Sequence, residues 1–164
     1  MRRKMVKPVL FGLLALLVVV LPLVAACAKP APPAPPEVKK PSTVKVAYLA
    51  DLTGPYAAVG PPLVMGFTDY IEMINERDGG IDGVPIQALW ADTKAKADLT
   101  TAAYKRFKAQ GVLAISCMVT PVALAVQSLV NEDKIPAINQ SATLSLYIPP
   151  TDYMWCHGGV ATDY

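Results

Sequence analysis

The chain has 164 residues, 53% of them hydrophobic, and a formal charge of +2 at pH 7, which leaves room for one domain with a real core. Four of its fifteen basic residues (Arg2, Arg3, Lys4, Lys7) precede an apolar run, and from Cys27 onward 11 basic residues stand against 13 acidic ones, a net of −2. No basic face argues for nucleic acid as a partner.

Residues 1–27 have the three parts of a secretory signal: a basic start, an apolar run over 9–21, and the small residues Ala25 and Ala26. A transmembrane anchor is the alternative, but the run, even stretched over 8–26, is barely the ~20 residues that a bilayer requires and Pro22 then sits inside it. Leu23-Val24-Ala25-Ala26-Cys27 resembles the bacterial lipobox, in which cleavage before the cysteine is followed by acylation of its thiol. The expectation is a signal peptide over 1–26, Cys27 as a lipid anchor to the membrane, and a chain on the outer side of the cytoplasmic membrane. Residues 29–41 contain six prolines, which disfavour helix and strand alike and leave an extended tether of about 40 Å. The remaining 123 residues, 42–164, form the domain.

Val44 to Ala50 reads as a first strand, apolar but for Lys45, as expected for a central strand covered on both faces. Asp51-Leu52-Thr53-Gly54-Pro55 breaks it, and Gly60-Pro61-Pro62 opens a helix whose buried stripe is Val64, Phe67, Ile71 and Ile74. Gly79 and Gly80 end that helix. A turn through Asp82-Gly83 leads to a second strand over 86–91 that finishes at Asp92. Asp98 is placed to cap a helix running to Gln110, with Leu99, Ala102, Ala103 and Phe107 inward. Gly111 stops it and 112–117 is a third strand. Thr120-Pro121 suits the start of a helix to about Asp133, with Val122, Val126, Leu129 and Val130 inward. A short fourth strand over 134–138, a loop over 139–143, a helical turn, and a fifth strand over 153–156 follow. Strands alternating with helices imply an α/β fold: a doubly wound open sheet of mostly parallel strands with helices on both faces. Such sheets bind ligands at the carboxyl ends of their strands. Cys117 and Cys156 fall on strands three and five with another between, about 10 Å apart, so both are expected unpaired.

Two loops at strand ends, 118–121 and 139–143, are rich in hydroxyls and hold no charged side chain. Free N–H groups at a helix start, joined by the Thr120, Ser141 and Thr143 hydroxyls, make a neutral site that binds a carboxylate or another anion. Taken singly, each hydroxyl is better explained as a helix cap; their shared location beside the loop after the first strand is what favours a site. The loop over 53–60 would form a third wall, with the Tyr56 ring able to cover an apolar or cationic group. Asp51 sits where a phosphate-accepting aspartate would, but lacks the clustered carboxylates of a magnesium site; Asp92 and Asp98 read as a strand end and a cap. His157, the sole histidine, has no partner in sequence for metal binding or nucleophilic catalysis. No glycine-rich nucleotide motif is present, and Cys117 reads as a buried, inert thiol. No cofactor, metal or catalytic residue is expected.

The string ADLTGPYAAVG after the first strand, the helix ending NERDGGIDGVPIQ, the strand ending WAD, the helix ending AQGV and the later NEDKIPAINQSAT together resemble the amino-terminal lobe of type I periplasmic binding proteins, specifically the branched-chain amino-acid-binding lipoproteins of ABC transporters. The resemblance runs over 43–163. It implies a non-enzymatic receptor that closes two lobes on a small-molecule ligand and delivers it to an ABC permease. It also implies that Thr120, Ser141 and Thr143, with a backbone contact in the Ser141-Ala142-Thr143 loop, hold the ligand carboxylate. Tyr56 and Val59 would meet its side chain; Val59 departs from the aromatic usual there, and Trp155-Cys156 from the usual aromatic-arginine pair. Family members have a second lobe of similar size, so this sequence reads as a truncated copy that binds weakly alone. A ligand-sensing ectodomain of a signalling receptor is the alternative, and an exported α/β hydrolase a more distant one.

Overall fold

The computed structural model describes residues 39–141, 143–148 and 153–157. The signal segment, Cys27, most of the proline tether and Ala142 lie outside them. Nine elements follow in chain order: β1 (Val44–Ala50), α1 (Gly60–Asp78), β2 (Ile86–Asp92), α2 (Ala97–Ala109), β3 (Ala114–Cys117), α3 (Thr120–Asp133), β4 (Ala137–Asn139), a single 3-10 turn (Leu144–Leu146) and β5 (Met154–Cys156).

The five strands form one sheet in the order β2-β1-β3-β4-β5, and every neighbouring pair is parallel. The expected doubly wound α/β sheet is therefore present, wholly rather than mostly parallel. From β1 the chain steps outward to β2, then returns across the sheet to β3 on the other side of β1. The order reverses between β1 and β3, which opens a crevice at their carboxyl ends. In register, Ala50 faces Asp92, Leu49 faces Cys117, and Asn139 stands between Cys117 and Cys156. The loops after β1, β2, β3 and β4 thus leave one edge of the sheet. An intervening strand separates the two cysteines, and both are free.

Alternation along each strand sorts the core into two clusters. Ala47, Leu49, Ile115, Cys117, Ala137 and Met154 pack with Tyr104, Phe107, Val122, Val126 and Val130 of α2 and α3. On the opposite face, Tyr48 and Ala50 meet Val64 of α1, Phe67 and Met118. Each fully buried aliphatic side chain contributes about 1.5–3 kcal/mol, so the larger cluster dominates stability. Lys45, the one charge in β1, lies near its start and sends its ammonium to the Gln110 carbonyl at 2.9 Å, keeping the head group at the surface.

The helix ends show where local sequence decided the structure. α1 starts at Gly60 with proline in its first turn and stops at Gly79, which takes φ 70° and so a left-handed cap that glycine adopts freely. α2 departs from expectation: it starts one residue before Asp98, after Lys96, with no side-chain cap. Asp98 instead occupies the first turn, where its charge favours the positive helix end. Its buried stripe is Thr100, Ala103, Tyr104 and Phe107, while Leu99 is 38% exposed and Ala102 is exposed. β2 is an edge strand, so α2 overhangs it and turns Leu99 and Ala102 outward. β3 begins at Ala114 rather than at residue 112, and β4 at Ala137 rather than 134. Lys134, at φ 56°, is the left-handed cap of α3 and cannot start a strand.

Candidate functional site: a hydroxyl cluster at the carboxyl edge of the sheet

Thr120 follows β3 by two residues and opens α3, yet its hydroxyl does not cap the helix. The cap residue is Val119, in extended conformation and with no side-chain bond to the helix. Pro121, in the first turn, has no N–H, and the Ala123 N–H makes its bond to the Val119 carbonyl at 3.0 Å. The Thr120 and Val122 amides precede that bond and are left for a partner from outside the helix. The Thr120 Oγ1 lies 2.6 Å from Ser141 Oγ and 3.3 Å from Thr143 Oγ1. Ser141 Oγ also accepts the Thr143 N–H at 3.2 Å. Ser141 is 4% exposed; Thr120 and Thr143 are half-buried. Three hydroxyls from two loops, 21 and 23 residues apart in sequence, therefore meet at the start of a helix.

The cluster carries no formal charge. Of the two thiols among the described residues, Cys156 bonds the Ser141 carbonyl through Sγ at 3.3 Å, while Cys117 ends β3 fully buried, and burial pushes it up to about 12, so at neutral pH it is a protonated, inert group. Three hydroxyls meet here beside a helix N-terminus. They offer hydrogen bonds to an acceptor, best to an anionic one. Among the described residues no group of three or more His, Cys, Asp or Glu is placed to hold a metal ion. His157 is exposed, with its N–H bonded to the Asn139 carbonyl at 3.3 Å.

Residues 43–163 match a family model described as "Periplasmic binding protein". This chain belongs to the periplasmic binding protein family. Among solved structures it is similar to a fatty acid ABC transporter substrate-binding protein from Thermomonospora curvata, 28% identical with a TM-score of 0.68, over 74% of this chain and 31% of that one. It is also similar to a branched-chain amino acid ABC transporter protein from Thermus thermophilus with bound valine, 23% identical with a TM-score of 0.67, over 72% of this chain and 31% of that one. The branched-chain amino acid transporter substrate-binding protein LivJ from Streptococcus pneumoniae, in complex with isoleucine, is 22% identical with a TM-score of 0.66, over 72% of this chain and 34% of that one. The chain spans about a third of the length of each of these structures. No curated protein matches it.

In this periplasmic binding lobe the hydroxyl loop is held from beneath by residues that sequence reasoning did not assign to the site. Asn139, fully buried, accepts the Ser141 N–H at 2.9 Å and the Tyr147 hydroxyl at 2.6 Å on Oδ1, and donates from Nδ2 to the Trp155 carbonyl at 3.1 Å. The Tyr147 oxygen also lies 2.6 Å from the Ser141 carbonyl, which accepts from Cys156 Sγ at 3.3 Å. Desolvation, reinforced by Cys156, raises the Tyr147 phenol and keeps it a donor at physiological pH. A hydrophobic pattern cannot signal these contacts, since Asn139 and Tyr147 look like ordinary turn residues. Tyr56 leaves the same sheet edge on the loop after β1 and is 40% exposed, with Val59 at 50%. No hydrogen bond among the described residues joins the Tyr56 side chain to the three hydroxyls; it belongs to a different loop of that edge.

Proposed function

We propose that this lobe is one wall of an extracytoplasmic solute receptor that serves an ABC importer. The receptor binds a small carboxylate, a branched-chain amino acid or a related compound, without converting it, and passes it to a membrane permease. The observation that carries this reading is the meeting of Thr120, Ser141 and Thr143 at the N-terminus of α3. A carboxylate fits this environment because hydrogen bonds to a charged acceptor are worth about 1.5–3 kcal/mol each, and the helix end supplies further attraction. The valine and isoleucine bound to two of the similar structures, and the fatty acid named for a third, all carry a carboxylate. The chain spans about a third of each similar structure, and the second wall of the cleft would be what corresponds to the rest of them. Tyr56 and Val59 would face the ligand's side chain, and Cys27 would hold the receptor to the membrane through its lipid.

The test is an amide chemical-shift titration of the chain with L-isoleucine, L-valine and octanoate, beside isoleucinamide, which lacks the carboxylate. Binding to one wall should be weak, in the millimolar range or about −4 kcal/mol. The three carboxylates should move the Thr120, Ser141 and Thr143 amides while isoleucinamide leaves them in place. Equal response to isoleucinamide, no response at these amides, or micromolar affinity for an amino acid would refute the assignment. The anchor is tested separately: Cys27→Ser should move the expressed protein from the membrane to the soluble fraction, and an unchanged distribution would remove Cys27 from the account.

A further inference from the structure

The loop that carries Tyr56 is bound at both sides by carboxylates from neighbouring strands. Asp51, the residue after β1, is fully buried, and it faces inward along its own loop. Its Oδ1 accepts the Gly54 N–H, and its Oδ2 accepts the Tyr56 N–H at 2.9 Å. Asp92, the last residue of β2, reaches across from the next strand, accepting the Leu52 N–H at 2.9 Å on Oδ1 and the Thr53 hydroxyl on Oδ2. The same Oδ1 accepts the Lys94 N–H at 3.0 Å. Two carboxylates thus engage five donors, four of them from residues 52–56.

The surroundings are built around this arrangement. A Cβ on Gly54 would lie 2.5 Å from Asp51 Oδ1 and 2.8 Å from the Lys94 carbonyl carbon, and one on Gly60 would lie 1.8 Å from the Asp51 carbonyl oxygen. Both positions admit only glycine at this separation. Lys94 and Ala95 take φ 52° and 53°, a conformation unfavourable for side chains other than glycine and retained only where neighbours impose it. Here the neighbours are Asp92 on the Lys94 N–H and Thr93, whose N–H and hydroxyl both bond the Ala50 carbonyl, at 2.8 and 2.7 Å. The strained turn after β2 forms the abutment against which the Tyr56 loop rests.

We infer that Asp51 and Asp92 are positioning residues that hold the Tyr56 loop in its ligand-ready shape before any ligand arrives. Neither carboxylate touches the ligand; both act through residues 52–56, by main-chain N–H groups and the Thr53 hydroxyl. The inference rests on reading Tyr56 as a wall of the cleft, and it extends that reading by making this wall rigid. Selectivity for the ligand's side chain then resides in a preformed surface, and the energetic cost of ordering the loop is met on folding rather than on binding.

Amide hydrogen exchange on the full chain tests this without ligand. In Asp92→Ala, exchange at Leu52 should accelerate about tenfold or more, as expected for loss of a charge-assisted bond. In Asp51→Ala the same acceleration should appear at Gly54 and Tyr56, and Asp51→Asn, which keeps one acceptor oxygen, should restore one of those two amides. Ile115 and Val126, in the core, should exchange at wild-type rates. Unchanged exchange over 52–56 would overturn the inference, as would acceleration shared equally by Ile115 and Val126, which marks general destabilisation. If Asp51→Ala does not fold, the half-buried Asp92 still decides the matter. With L-isoleucine as probe, Asp92→Ala should reduce the shift at Tyr56 and keep that at Thr120; loss at neither or at both counts against positioning. A wild-type chain silent to isoleucine, valine and octanoate would remove the receptor reading, while the exchange pattern would still judge whether the carboxylates hold the loop.

Discussion

Thr120 shows how a single side chain acquires a role that its local sequence does not announce. A threonine before proline at a helix start suggests a cap, yet the Thr120 hydroxyl turns to Ser141 and Thr143, because partners 21 residues away in sequence lie beside it in space. Thr120→Val keeps the shape and removes the hydroxyl. It should weaken the isoleucine response by about tenfold, the equivalent of one bond to a charged acceptor, with the fold retained; an unaltered titration would exclude Thr120 from the site. Tyr48 presents the opposite case, a polar atom with no role. The residue is 5% exposed, its ring meets that of Phe67 at a tilt with centroids 5.3 Å apart, and its hydroxyl finds no hydrogen-bond partner among the described residues. A buried unsatisfied hydroxyl costs about 1–3 kcal/mol, so Tyr48→Phe should raise the urea midpoint. A lower midpoint would mean that the hydroxyl has a partner in solution.

Among the elements, the α2–α3 pair is joined by a small polar network at its outer end. Tyr104 is buried in the core, but its hydroxyl donates to Asp133 Oδ2 at 2.8 Å, and the Lys108 ammonium pairs with Asp133 Oδ1. Lys108 and the Tyr104 hydroxyl hold the Asp133 carboxyl below the usual aspartate range. A carboxylate lowered in the folded state contributes stability above the unfolded value, about 3.9, and loses it as pH falls through the folded one. Between about pH 5 and about pH 3, wild-type stability should therefore fall more steeply than that of Asp133→Asn in urea unfolding. Parallel slopes would show that the network contributes nothing. The order and type of these helices were legible in the sequence because periodicity and glycine stops are local signals. Thr100 and Tyr104 were not legible as core, nor Leu99 and Ala102 as surface, because α2 overhangs an edge strand and sheet order is not written in any helix. The same limit hid Asp92: it read as a strand end, while its contacts with Leu52 and Thr53 depend on β1 and β2 being neighbours in register. Thr120, Ser141 and Thr143 were legible as candidates because loops at the carboxyl edge of a parallel sheet are few. Asn139 and Tyr147 were not, since their value lies in whom they hold.

Across the whole sheet, one row of residues runs Tyr48, Ser116, Ile138, Trp155 in register. All four share a face, yet only Tyr48 is buried; Ile138 is 45% and Trp155 46% exposed. The reason is topological: α2 and α3 cover the opposite face, whereas α1 packs on β2 and β1, and among the described residues no helix lies over β3, β4 and β5 on this side. A groove of about 320 Å³ lies there, lined by Val46, Phe67, Tyr70, Ala114, Ser116 and Ile138. Parallel sheets are ordinarily covered on both faces, and an apolar area of this kind in water favours self-association. The chain should accordingly bind a hydrophobic dye and form larger species as its concentration rises in sedimentation. Replacing Ile138 and Trp155 together by threonine keeps the strand preference of both positions and removes the apolar surface. It should suppress dye binding and association while shifting unfolding stability by no more than about 0.5 kcal/mol per site, as for exposed positions generally. If the double variant associates as the parent does, the surface responsible lies elsewhere. If instead it unfolds, both side chains must be packed in solution, and the uncovered face is closed by contacts within the chain itself.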